Sequence, residues 1–151
     1  MLHRLLRQWE SPPTLLLLFI AAAWAQARLL PLVAPLPELR HLGAVCVAAG
    51  LVMIALAAMQ FRTHATTILP REAPKHMIDT GLYAYSRNPI YLADALILAG
   101  VALRWDAGAL VLVPLFVWVI TQRFIIGEEA GMRAQFGAAF DAYAVRVRRW
   151  V

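Results

Sequence analysis

Four apolar runs, about Pro13 to Leu30, Leu42 to Gln60, Pro89 to Trp105 and Ala107 to Ile126, approach the roughly 20 residues a helix needs to cross hydrocarbon. Inside a bilayer the backbone must satisfy its own hydrogen bonds, so runs of this kind fold as helices. Composition agrees: 62% of the 151 residues are hydrophobic and 15% charged, outside the balance of a soluble domain. The expected fold is all-α and integral to the membrane: four transmembrane helices in one membrane-embedded domain over residues 1–151.

The flanks sharpen this. Leu2, Leu5, Leu6 and Trp9 recur at helical spacing with Arg4 and Arg7 opposite, which predicts a short N-terminal helix lying in the interface. Pro12 and Pro13 start the first run, where a missing amide proton costs little, and Pro31, Pro35 and Pro37 end it. A basic start, "LLLLFIAAAWA" and small residues around Trp24 also fit a secretory signal, the lesser reading. Of the 14 Lys and Arg, only Arg28, Arg40 and Arg104 fall on one side of the runs. The rest lie before the first run, in the loop holding Arg62, Arg71, Lys75 and Arg87, and from Arg123 onward. By the positive-inside rule both termini face the cytoplasm, in an inner or plasma membrane.

Gly43, Cys46, Gly50 and Ala57 form a small-residue stripe suited to close helix packing. "RWDAG" (Arg104 to Gly108) is short enough to make the last two runs a tight antiparallel hairpin, and Pro114 predicts a kink in the last. The lone Cys46 excludes an internal disulfide. The net charge of +5 follows the loops rather than one helical face, which argues against nucleic acid. His3, His41, His64 and His76 show no metal-ligand spacing, and no glycine-rich phosphate loop or nucleophile elbow is present.

Two polar constellations remain. In "YAYSRNPIYLADA" (Tyr83 to Ala95), Asn88 and Pro89 make a good helix start, the asparagine side chain accepting from an amide two or three residues on. That alone needs no function. Its company does: Arg87 stands outside a helix start that already favours an anion, and Tyr91 and Asp94 lie on nearly one face, with Tyr83 and Tyr85 upstream. Together they could hold a zwitterion, its carboxylate at Arg87. In "RFIIGEEAGM" (Arg123 to Met132) two acids directly follow an apolar run. Neighbours on a helix point about 100° apart, so Glu128 and Glu129 cannot serve one small site equally. One is free to bind ligand while the other pairs with an arginine. Beyond them Met132, Phe136, Phe140, Tyr143 and Val147 recur at helical spacing, with Gly137 as a bend. This amphipathic C-terminal helical segment is expected to lie over the cytoplasmic ends of the bundle as a lid.

These residues resemble the integral-membrane methyltransferases that include isoprenylcysteine carboxyl methyltransferase and the phospholipid N-methyltransferases. The family pattern is Gly-x-Tyr, Arg-His-Pro-x-Tyr-x-Gly, a Glu-Glu pair and a Phe-Gly and tyrosine-bearing tail. Here it reads Gly81 and Tyr83, "RNPIYLA" (Arg87 to Ala93), Glu128 and Glu129, Phe136 and Gly137, and Tyr143, spread over about Phe61 to Val151. Asn88 replaces the histidine and Ala93 the glycine.

The resemblance implies S-adenosyl-L-methionine as methyl donor, a lipophilic small-molecule or lipid acceptor, and a donor pocket closed by the C-terminal segment. By position, His76, Met77, Ile78, Tyr83, Asn88, Pro89, Ile90, Tyr91 and Glu128 would contact the donor, joined on physical grounds by Arg87. Relatives that methylate a carboxylate hold it with an arginine shortly before the acids; Arg123 stands near there, offset by one residue. Candidates for catalysis are therefore Arg87, Tyr91, Asp94, Arg123 and Glu129, with Asp94 able to accept a proton from an amine acceptor. No nucleic acid and no metal is expected. The competing reading is a non-catalytic membrane scaffold or lipid-binding module that keeps the fold.

Overall fold

The computed structural model describes residues 11–34, 36–63 and 77–151. The expected interfacial helix around Leu2 to Trp9, and His76, lie outside the described residues. The first helix, α1 (Pro12–Leu29), opens as its sequence requires: the Ser11 hydroxyl accepts from the Thr14 amide at 3.4 Å, and proline occupies the first turn. Pro37, expected to help end the first run, instead opens α2 (Pro37–Thr63), a position that suits it for the same reason. The third helix, α3 (Pro89–Trp105), has the expected bounds.

The hairpin at Asp106 is built by its carboxylate. Oδ2 accepts from Leu32 N at 2.6 Å, and Oδ1 accepts from Val33 N at 3.0 Å and Gly108 N at 2.7 Å. One side chain thereby joins the α1–α2 loop to the turn after α3. Burial pushes this carboxyl up, but the three amides and the Gln26 side chain together outweigh it and hold it below the ordinary value.

The last apolar run does not end before the acids. Ala107–Val111 is 3-10, α4 is Leu112–Ile120, Thr121–Ile125 is a π turn and α5 is Ile126–Phe136, so helix continues through Glu128 and Glu129. Pro114 falls in the first turn of α4, where a lost amide costs little, rather than at a mid-helix kink. The departure from α geometry comes at Thr121, whose hydroxyl donates to the Val117 carbonyl at 2.7 Å and so competes with the backbone ladder. After Gly137, with φ +53°, α6 (Ala138–Arg146) turns back.

Among the described residues three helical stretches are long and apolar enough to cross a membrane: α1, α2 and the composite Ala107–Phe136. At 17 residues, α3 is about 26 Å long and is the shortest of the expected spans. It is also the central one: nine of its residues are buried against three in the 27 of α2. Those three, Gly43, Gly50 and Ala57, are members of the small-residue stripe. A Cβ on Gly100 of α3 would lie 2.6 Å from the Gly43 carbonyl, and one on Gly50 would lie 2.8 Å from that of Ala93. The helices run antiparallel with their backbones nearly touching, which no larger side chain permits. On its other side α3 buries Tyr91, Ala95 and Leu98 with Phe116, Ile120, Phe124 and Ile125, and Phe19 of α1 meets Phe116 edge-on at 5.3 Å.

Candidate functional site

At the end of the bundle away from Asp106, polar residues converge from three parts of the chain. The first is the 3-10 turn Gly81–Ala84 that leads into α3. Gln60, near the end of α2, clamps it: Nε2 donates to the Thr80 carbonyl at 3.0 Å, and Oε1 accepts from Leu82 N at 3.3 Å. The clamp passes over Gly81, whose φ of +59° and lack of a Cβ both matter, since a Cβ would collide with the Gln60 amide. Tyr83 is thereby set edge-on to Phe61 at 5.7 Å.

The second part is the C-terminal segment, which lies over that turn. Phe140, Tyr143 and Val147 are buried with Met77, Met132 and Phe136 packed against them. The Tyr143 hydroxyl donates to the Tyr83 carbonyl at 2.7 Å. Burial pushes the Tyr143 phenol up to about 12, against the pull of Arg87, and burial, with Tyr143 and Glu128 nearby, also raises that of Tyr83. Arg87 N donates to the Arg148 carbonyl at 3.0 Å, and Asn88 Nδ2 donates to that of Arg149 at 3.1 Å. Asn88 is the residue before α3, as expected, but its side chain caps no amide of the helix. The cap is turned outward to hold the tail. Ser86, 1% exposed, supplies the local bond instead, accepting from Asn88 N at 3.1 Å.

The third part is the acid pair. Glu129, 8% exposed, accepts from Arg149 Nη2 at 2.7 Å and Nε at 3.0 Å, a bidentate pair, and Arg87 Nη2 lies 3.6 Å from its Oε1. The bond to Glu129 raises the pKa of Arg149 above its ordinary value. Glu128, one position earlier, accepts from the Tyr91 hydroxyl at 2.8 Å. The two acids thus serve different partners, as their helical angle requires. Arg87 Nε is buried and has no hydrogen-bond partner among the described residues, an unspent donor beside the start of α3.

The remaining candidates fall around this cluster. Pro89 is buried and Ile90 half-buried in the first turn of α3. Ile78 is buried, and Met77 is half-buried where the C-terminal segment packs. Asp94, one turn beyond Tyr91 and 6% exposed, faces away from water without a hydrogen bond from a described group. Arg123 is exposed, in the π turn, and is not one of the two arginines at Glu129. A π turn takes up about one residue more than an α turn, the size of the offset noted for Arg123. Sequence reasoning missed Arg149 and Ser86. A trio of arginines from 146 to 149 gives no periodic signal of which one turns inward, and a serine before "RNP" reads as ordinary loop. Among the described residues no three His, Cys, Asp or Glu converge as a metal site would need.

A family model described as phospholipid methyltransferase matches residues 39–139, from the start of α2 through the acid pair and into α6. No curated protein and no solved structure matches the chain.

Proposed function

The chain belongs to the phospholipid methyltransferase family, and on that premise we propose that it transfers the methyl group of S-adenosyl-L-methionine to a lipophilic acceptor at the cytoplasmic face of the membrane. A prenylcysteine carboxylate, a phospholipid amine and a small lipophilic thiol are the acceptor classes. The observation that carries the reading is the unspent Arg87 Nε beside the start of α3, together with the Tyr91–Glu128 pair. The residues present fit the donor. Its carboxylate suits Arg87, whose Nε is unspent. Its amine or ribose diol suits Glu128, and the faces of Tyr83 and Tyr91 suit a sulfonium.

When bound, the donor supplies an electrophilic methyl group on a positively charged sulfur. The chain's own task is to align and to exclude water. Tyr91 fixes Glu128 by its hydroxyl, and Arg149 fixes Glu129, which keeps Arg87 in place by charge. The C-terminal segment, tied to residues 83–88 by four hydrogen bonds, keeps water from the reacting atoms. A carboxylate or thiolate acceptor needs no base; for an amine, Asp94 is the group that accepts the proton. The excess of Lys and Arg around this end supports its cytoplasmic position.

Incubating detergent-purified protein with donor labelled in its methyl group and with a panel of phospholipids, prenylcysteine analogues and thiols tests the proposal. Label in one acceptor class, lost in Glu128→Ala, is the expected result. No transfer to any class, with donor bound, would leave the non-catalytic scaffold as the better reading.

A further inference from the structure

The three arginines on the sparse side of the charge count come together in space. Arg28 at the end of α1, Arg40 at the start of α2 and Arg104 at the end of α3 line one cavity of about 380 Å³ with Trp24, Ala27 and Trp105, at the end of the bundle opposite Glu128. Three like charges repel, yet none of the three is ion-paired with a described residue. They are held together by other means: Arg28 lies 5.9 Å over the Trp24 ring, and Arg104 Nη1 donates to the Arg40 carbonyl at 3.3 Å. Trp24 and Trp105 are 52% and 39% exposed, the aromatic setting of a membrane interface.

A second cavity, about 340 Å³, continues from the first, sharing Arg104 and Trp105. Its other lining residues are apolar: Ala44, Val47, Ala48 and Leu51 of α2 and Val101 of α3. With Arg40 the α2 members fall at i, i+4, i+7, i+8 and i+11, one helical face that begins at the guanidinium cluster and runs into the membrane. Eleven residues of helix rise about 16 Å, the depth of one leaflet's hydrocarbon, half of about 30 Å.

We infer that these joined cavities bind an anionic phospholipid of the leaflet opposite the Glu128 end, its phosphate among Arg28, Arg40 and Arg104 and one acyl chain along Ala44, Ala48 and Leu51. Guanidiniums present forked donors matched to phosphate oxygens, and an anion offsets the repulsion that no described carboxylate offsets by ion pairing. The apolar groove distinguishes the lipid from a free phosphate, which would use the arginines alone. The site is independent of the proposed methyl transfer and holds whether or not the chain is an enzyme.

The test titrates protein purified in uncharged detergent with phosphatidylglycerol, phosphatidylcholine or inorganic phosphate, following thermal unfolding and retained lipid by native mass spectrometry. Phosphatidylglycerol is expected to raise Tm and remain bound, and the other two are not. Replacing all three arginines by glutamine should weaken binding about tenfold or more. Two milder variants guard against a folding defect in the triple change: Arg28→Gln, at an exposed position, and Ala48→Phe, which fills the groove and leaves every charge intact. Both should weaken phosphatidylglycerol binding while gel filtration stays monodisperse. Equal effects of phosphatidylcholine, reproduction of the Tm rise by phosphate alone, or unchanged binding in both milder variants would each overturn the inference.

Discussion

At Glu129 one carboxylate answers two guanidiniums, one from the loop before α3 and one from the end of the chain. The helix angle between neighbouring residues made a division of labour between Glu128 and Glu129 readable from sequence. The identity of the arginine did not follow, because Arg149 reaches Glu129 from the non-helical tail that begins at Val147, where no periodicity operates. Removing the acid strands Arg87, whose side chain is 14% exposed. Glu129→Ala is therefore expected to cost about 2–4 kcal/mol of stability, discounted for the more exposed Arg149, measured as the shift of detergent-solubilised unfolding. An unchanged Tm would mean that the pair carries no structural weight. The exposed Arg133–Asp141 pair, 2.7 Å apart, is the internal control: Asp141→Ala should change stability little.

Among the elements, the α2–α3 contact and the Asp106 turn set the frame that holds the polar end. The contact was legible as a stripe of small residues, and α3 was legible to the residue because Pro89 must begin a helix and Asp106 with Gly108 makes a turn. The π turn was not legible, since it depends on the Thr121 hydroxyl choosing the Val117 carbonyl over its other options. A side chain at Gly100 meets the Gly43 carbonyl and, at 2.9 Å, the Val47 amide, neither of which can move alone. Gly100→Val is thus expected to destabilise by about 1–3 kcal/mol, with loss of monodispersity as the visible sign. At the turn, the Asp106 carboxyl is held below its ordinary 3.8 by three amides and the Gln26 side chain. Its contribution is therefore complete above that value and is lost as pH falls through the lowered one. Asp106→Asn should melt earlier than wild type at pH near 7, the gap narrowing below about pH 4. A gap independent of pH would show that charge at this position does not matter.

In the molecule as a whole, the two ends of one bundle differ in kind. The end with Asp106 is tied by backbone amides to a carboxylate and presents three arginines that no described carboxylate pairs. The other end is closed by the C-terminal segment over Tyr83, Arg87 and Glu129. Loop charge and apolar run length made this polarity readable, since the bilayer penalises misplaced charge along the whole chain. The closure was readable only as an amphipathic tail; three of its four bonds to residues 83–88 run through backbone carbonyls of Arg148 and Arg149, which side-chain patterns do not encode. The proposed methyl transfer requires the closed end to hold the methyl donor at Arg87 and Glu128. Calorimetric titration of S-adenosylhomocysteine into the detergent-purified protein tests this. Saturable heat from wild type, with affinity lowered about tenfold or more in both Arg87→Ala and Glu128→Ala, is the predicted result, and no heat from wild type, or full affinity in both variants, would contradict it.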